Sequence, residues 1–305
     1  MAKREQLFRL LDIINVLKKN PLGASYDEVK SYLDRQHQSR EDETSEVPFS
    51  EKTFKRDRNL IFDLFGIEIR YRRSTNTYRI DENDDLGQAN HIYDSLLLVN
   101  AYRRTENHAE IMLFEKRQAT GLHHLDGLIY AIKNNRTVGF SYHKHWDDSP
   151  QLRKVEPYAV KEFKNRWYLL ATDVGAETPL MKTFGLDRIS DLDIHSRTFT
   201  KTEMDLNALF VNSFGIITTY GEAPQRIVLS FDHYQGKFVK TLPLHHSQKI
   251  LLDTKEELQI ELTLCPTYDF YQELLSQAER VTVLEPLSVR QEFAYFLKSS
   301  LEKNS

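Results

Sequence analysis

Basic residues crowd one stretch of this sequence. Between Ser50 and Ile80 stand Lys52, Lys55, Arg56, Arg58, Arg70, Arg72, Arg73 and Arg79 against Glu51, Asp57, Asp63 and Glu68, a local +4 in a chain of formal charge -4. A localised basic face on a mildly acidic protein is the electrostatic footprint of a duplex-reading module attached to other domains. A second crowd brings seven cations into the 36 residues from 153 to 188: Arg153, Lys154, Lys161, Lys164, Arg166, Lys182 and Arg188. They are interleaved with Tyr158, Phe163, Trp167 and Tyr168. Aromatic faces stack bases while cations neutralise phosphates, the combination a single-strand binder requires. Covalent chemistry leaves no comparable trace. No GxxxxGK[ST] phosphate loop and no GxSxG elbow occurs. His143-x-His145, His123-His124 with Asp126, and His245-His246 are the groupings that could approach a metal, and surface or capping roles suit such pairs better. No acid/base pair has a spacing that compels catalysis. The expectation is a non-enzyme with no metal and no cofactor.

Elements must hold the first crowd in place. Leu7, Leu10, Leu11, Ile14 and Leu17 recur at helical spacing and predict a helix over 5–19, ended by Asn20-Pro21-Leu22-Gly23. Ser25-Tyr26-Asp27-Glu28 reads as a capping box opening a second helix to about Gln36. A polar stretch, 38–47, separates it from a third. There Ser50 caps, Phe49 and Phe54 occupy hydrophobic-staple positions, Phe54, Ile61, Leu64 and Phe65 form the buried stripe, and Gly66 stops the helix. Ile67 to Arg73 and Thr77 to Ile80 then alternate as the arms of a hairpin around Ser74-Thr75-Asn76. Three helices and a basic hairpin make a winged helix-turn-helix. Lys52, Thr53, Lys55 and Arg56 sit where the third helix of such a module meets base edges, and Arg72, Arg73 and Asn76 sit at the wing tip.

Two domain lengths fit into 305 residues, and 40% hydrophobic with 28% charged residues is the composition of a folded chain. No run approaches a membrane span, and the start shows no signal-peptide core, so a cytoplasmic protein without membrane partners is expected. A single cysteine, Cys265, excludes an internal disulfide and any CxxC-type site. Residues 90–117 read as a connecting helical segment, and 124–135 as a further helix with Leu125, Leu128, Ile129 and Ile132 inward. Short strands follow over 137–143, 152–160, 166–172, 180–184 and 189–195, suggesting a small Sm/SH3-like barrel. From Arg226 the order is βαββαβ with a last helix, a ferredoxin-like arrangement.

Arg166-Trp167-Tyr168-Leu169-Leu170 contains the Trp-Tyr-Leu signature of the WYL domain. Phe140-Ser141-Tyr142, Glu156-Pro157-Tyr158 and Thr183-Phe184-Gly185-Leu186-Asp187-Arg188-Ile189 stand around it in that family's order. The third helix and wing resemble the N-terminal module of bacterial WYL regulators, so the resemblance covers nearly the whole chain, with a C-terminal WYL extension. It implies a bacterial transcription regulator whose barrel senses a nucleotide or short single-stranded nucleic acid. Tyr142, Tyr158, Tyr168 and Arg188 fall on motif positions. Lys182 stands where arginine is common and Gly185 where another basic residue is frequent, which weakens a bidentate phosphate clamp because lysine lacks arginine's fork. Lys161 joins the ligand set as one of the cations of the basic, aromatic cleft.

The resulting expectation is an α+β multidomain chain. A winged helix-turn-helix occupies 1–82, a helical linker 83–123, a WYL effector domain 124–200, a connector 201–223 and a dimerising extension 224–305. Its partners are a duplex operator, the nucleic-acid-like effector and a second copy in a homodimer. Two rivals are a WYL interaction module regulating a partner nucleic-acid enzyme, and a nuclease using a metal at His123, His124 and Asp126.

Overall fold

The computed structural model describes residues 2–38, 49–80 and 120–305, with single residues between them. The polar stretch after the second helix, and almost all of the helix anticipated over 90–117, lie outside the described residues. The chain divides into two units, 1–115 and 116–305.

In the first unit α1 (Ala2–Lys19), α2 (Tyr26–Gln38) and α3 (Glu51–Phe65) precede the antiparallel hairpin β1 (Ile69–Arg72) and β2 (Thr77–Ile80). The anticipated local signals act as read. The Ser25 backbone N–H donates to Glu28 at 2.7 Å and the Glu28 N–H returns to the Ser25 hydroxyl at 3.3 Å. Ser50 accepts from the Thr53 N–H at 3.2 Å, and the Phe49 and Phe54 rings lie 5.7 Å apart. Gly66 ends α3 with φ 68°, a conformation that costs glycine nothing. The stripe differs at one position: Leu64 is 51% exposed, and Asp57 takes a buried place instead. Its carboxylate lies 2.6 Å from the Arg9 guanidinium, with a second contact at 3.2 Å, so the pair supplies the satisfied polar partner that a buried charge needs. Ala24 bridges Tyr78, tying the turn before α2 to the hairpin. Leu10, Ile13, Ile14, Phe54, Ile61 and Ile67 form the centre of this core.

In the second unit a short 3-10 turn (Leu122–His124) leads into α4 (Leu125–Lys133), which packs on a five-stranded antiparallel sheet. Its strands are β3 (Arg136–Tyr142), β4 (Gln151–Phe163), β5 (Arg166–Asp173), β6 (Lys182–Gly185) and β7 (Ile189–Thr198), in the order β6-β5-β4-β3-β7. Among the described residues no ladder joins β6 to β7, so the sheet is open and not a closed barrel. β6 has only four residues, and a 3-10 turn (Leu186–Arg188) carries the chain from that edge to the other before a closing ladder forms.

A short helix the sequence reading missed, α5 (Leu206–Phe210), lies in the connector. The Asp205 carboxylate caps it, accepting from Asn207 and Ala208. A second antiparallel sheet follows, ordered β11-β8-β10-β9, from β8 (Gln225–Asp232), β9 (Lys249–Asp253), β10 (Glu257–Leu264) and β11 (Val281–Glu285). The helix α6 (Gln235–Thr241) links β8 to β9, α7 (Tyr268–Gln277) links β10 to β11, and α8 (Leu287–Asn304) closes the chain. Ile227, Leu229, Ile260, Leu262, Phe270 and Leu274 fill the space between sheet and helices. No helix among the described residues is long and apolar enough to cross a membrane.

Candidate functional site

In the first unit, α3 turns its apolar side and Asp57 inward, which leaves Lys52, Lys55 and Arg56 exposed and Thr53 half-buried. Arg72 and Arg73 stand exposed at the hairpin, as does Asn76, whose amide oxygen accepts from the Tyr71 hydroxyl at 2.7 Å and whose φ of 52° fits the turn. Among the described residues, Lys52, Lys55, Arg56, Arg72 and Arg73 form no ion pair. Arg58 is used differently. It donates to the Ile69 carbonyl at 2.8 Å and lies 4.9 Å from the Tyr78 ring centroid, fixing the hairpin to the helix. The basic stretch therefore separates into a structural arginine and outward-facing cations, a division the sequence did not reveal.

In the second unit the six residues anticipated as ligand-binding fall into separate surroundings. Tyr142, Tyr168 and Arg188 converge near the 3-10 turn. The Tyr142 hydroxyl accepts from the Gly185 N–H at 3.2 Å, and the Arg188 guanidinium lies 5.4 Å from the Tyr142 ring centroid. Asp187 stands 3.2 Å from Arg166 and 3.5 Å from Arg188. Tyr168 pairs with Gly185 across β5 and β6. Burial is the largest influence on both phenols and raises their pKa values, while the charge of Arg188 pulls the other way. Arg153 acts in the same direction on Tyr142.

Gly185 makes this arrangement possible. A Cβ at that position would lie 2.5 Å from Arg188 Nη2 and 2.4 Å from the Asp187 carboxylate. The absence of a side chain, which in the sequence looks like a missing basic residue, is what admits the arginine. Buried and without a hydrogen-bond partner remain Nε of Arg188, Nε of Arg153 and Oδ1 of Asp187. Orphaned buried donors are rare in folded proteins because each carries an uncompensated desolvation cost. Arg188 Nε and Asp187 Oδ1 face each other at 3.5 Å, an ion pair too long for a hydrogen bond, and Arg153 and Arg188 together place positive charge around Tyr142.

Tyr158 and Lys161 lie elsewhere. Tyr158 is 2% exposed and packs with Leu170 and Met181 beneath the connector residues Leu206, Leu209 and Phe210, while its hydroxyl accepts from the Thr202 N–H at 3.3 Å. Lys161 stands 4.9 Å from the Phe210 ring, and burial lowers its pKa. The connector thus covers a sheet face that the strand pattern leaves looking open. Lys182 is paired with Asp173 on the neighbouring strand. Trp167 packs half-buried against the core of the five-stranded sheet.

The histidine groupings have local roles. Nε2 of His124, in the tautomer that donates, meets the Ile189 carbonyl at 3.0 Å, and its ring lies 4.0 Å from that of His123. His143 contacts the Asp147 carbonyl at 3.0 Å. Among the described residues no three His, Cys, Asp or Glu side chains group as metal ligands.

A family model for the WYL domain matches residues 123–194, and one for the WCX domain matches 223–298. Among solved structures the chain is similar to proteasome accessory factor B/C (PafBC) of Arthrobacter aurescens, at 18% identity and a TM-score of 0.31, over 94% of this chain and 45% of that one. It thus spans less than half the length of PafBC. It is also similar to a CRISPR Cas-related protein, at 11% identity and a TM-score of 0.37, over 98% of this chain and 85% of that one. No curated protein matches it.

Proposed function

This chain is a WYL-domain protein with a WCX domain behind it, and from that premise we propose that it is an effector-responsive, DNA-binding transcription regulator. The observation that carries the proposal is the outward face of α3 and the hairpin. Five cations stand there exposed and, among the described residues, without ion pairs, while one of the three acids of α3, Asp57, is buried against Arg9. Cations held away from internal carboxylates remain available to phosphates, whose neutralisation supplies most of the affinity for duplex DNA.

The order of three helices and a hairpin, with residue 24 bridging β2, supports reading the first unit as a winged helix-turn-helix over 1–82. In that reading Lys52, Thr53, Lys55 and Arg56 meet base edges, and Arg72, Arg73 and Asn76 meet the flanking backbone. The strand order of the first sheet, with its 3-10 turn between the last two strands, supports an Sm/SH3-like module over 124–200, which senses the effector. The βαββαβ order of the final region supports a ferredoxin-like module over 224–305, which pairs two subunits on a pseudo-palindromic operator. The two guanidinium groups acting on Tyr142, with Tyr168 opposite Gly185 on the neighbouring strand, support a nucleotide or a short single strand as the effector.

The test is selection of genomic duplex fragments by the purified protein beside a Lys55→Ala/Arg56→Ala double variant. The expected result is a recurrent inverted repeat that the double variant no longer enriches. Enrichment of the same site by both proteins would remove α3 from the reading, and no enrichment by either would remove DNA recognition altogether.

A further inference from the structure

Trp146 stands 79% exposed at the tip of the β3–β4 connection, the most exposed aromatic side chain among the large hydrophobics of the described residues. The turn that carries it is tightly held. Asp147 N–H donates to the Lys144 carbonyl at 3.2 Å, and the Asp147 carboxylate accepts from Gln151 at 2.9 Å and lies 3.6 Å from Lys144. His143 Nε2 meets the Asp147 carbonyl, and the His143 N–H donates to the Arg188 carbonyl at 3.1 Å. A large apolar ring is thus presented to water on a hydrogen-bonded turn that begins at His143, whose backbone bonds the Arg188 carbonyl.

The surroundings choose among the surfaces that could cover it. His143, Lys144 and His145 precede the ring, Asp147 is consumed by the turn, and Asp148 is left as the uncommitted carboxylate. Arg153 follows on β4, opposite Phe140, and hydrogen-bonds Gln151. Three residues span at most about 10 Å of chain, so the ring lies within a short reach of the anchor at His143 and Arg188. An exposed aromatic face on a turn bonded to the Arg188 backbone, next to a cluster where the charges of Arg153 and Arg188 act on Tyr142, joins the two contacts that nucleic acid offers, a base to stack and a phosphate to neutralise.

We propose that Trp146 is a base-stacking platform on which single-stranded nucleic acid enters the cluster of Arg153, Tyr142 and Arg188. The proposal rests on the nucleic-acid-sensing reading of that cluster and adds the residue that takes the base. Trp146→Ala, at an exposed turn position, leaves the fold in place, which a thermal melt checks.

A short oligothymidylate titrated into the full chain tests it by two readouts. Tryptophan fluorescence is expected to fall on binding, with the fall lost in Trp146→Phe and retained in Trp167→Phe. Affinity is expected to weaken about tenfold in Trp146→Ala, the usual order for one stacked base. Equal affinity in wild type and Trp146→Ala, or a fall in fluorescence that persists in Trp146→Phe, would overturn the platform while leaving the sensing reading intact. No oligonucleotide binding by any of the proteins would overturn both. Loss of self-association in Trp146→Ala, with oligonucleotide binding unchanged, would make the ring a protein contact and also overturn the proposal.

Discussion

Arg188 illustrates how a single side chain acquires a role from its neighbours. Its guanidinium lies over Tyr142, beside Asp187, in a space that only glycine at 185 leaves free. Arg188→Ala is expected to leave operator affinity within about twofold and to abolish the effector response, because the substitution removes charge at the sensing cluster and leaves the exposed cations of α3 and the hairpin unchanged; order-of-magnitude loss of operator binding would contradict this. Gly185→Ala is expected to reproduce the lost response, since its Cβ would displace the guanidinium. His245 yields a pH prediction. Burial, reinforced by the charge of His246, lowers its pKa to about 4. Nδ1 lies 2.7 Å from the Ser247 hydroxyl and accepts from the Ser247 N–H at 3.3 Å. An unfolded histidine takes its proton near pH 6.5 and this one only near 4, so its contribution is complete above about 6.5 and is lost as pH falls toward 4. The urea midpoint should therefore drop across that window, and less steeply in His245→Gln.

At the scale of elements, the first unit depends on its third helix being both anchored and capped. Ser50→Ala removes one cap bond and is expected to cost about 1 kcal/mol in urea unfolding. Asp57→Ala is expected to cost more, about 3 kcal/mol, because it strands the largely buried Arg9 guanidinium without its partner. Both caps and the staple were legible in the sequence, since they are contacts between residues three to five apart. The Arg9–Asp57 pair was not, because it joins residues 48 apart and nothing local marks either one. Leu64 and Asp57 show the same limit from the other side: helical spacing alone ranks leucine as the buried residue, and a distant arginine reverses the order.

For the whole molecule, duplex binding supported by exposed cations should weaken steeply with salt. Arg72→Ala with Arg73→Ala is expected to reduce the slope of log K against log salt by about two per subunit and to weaken all sequences alike, whereas Lys55→Ala with Arg56→Ala is expected to erase the preference for one sequence. An unchanged slope in the wing variant, measured by fluorescence anisotropy over a salt series, would exclude Arg72 and Arg73 from phosphate contact.

The sequence by itself determined the helices and hairpin of the first unit, two helix caps, the cationic helix and the Trp-Tyr-Leu block, because each is written in residues close together along the chain. The tertiary structure decided which of those residues meet. It buried Tyr158 beneath α5 of the connector with Lys161 half-buried beside it, paired Lys182 with Asp173, and gathered Arg153, Tyr142, Gly185 and Arg188 from three strands and a turn. Alternation along a strand reports that a face exists. What covers that face is set by chain packed from far along the sequence, and periodicity holds no record of it.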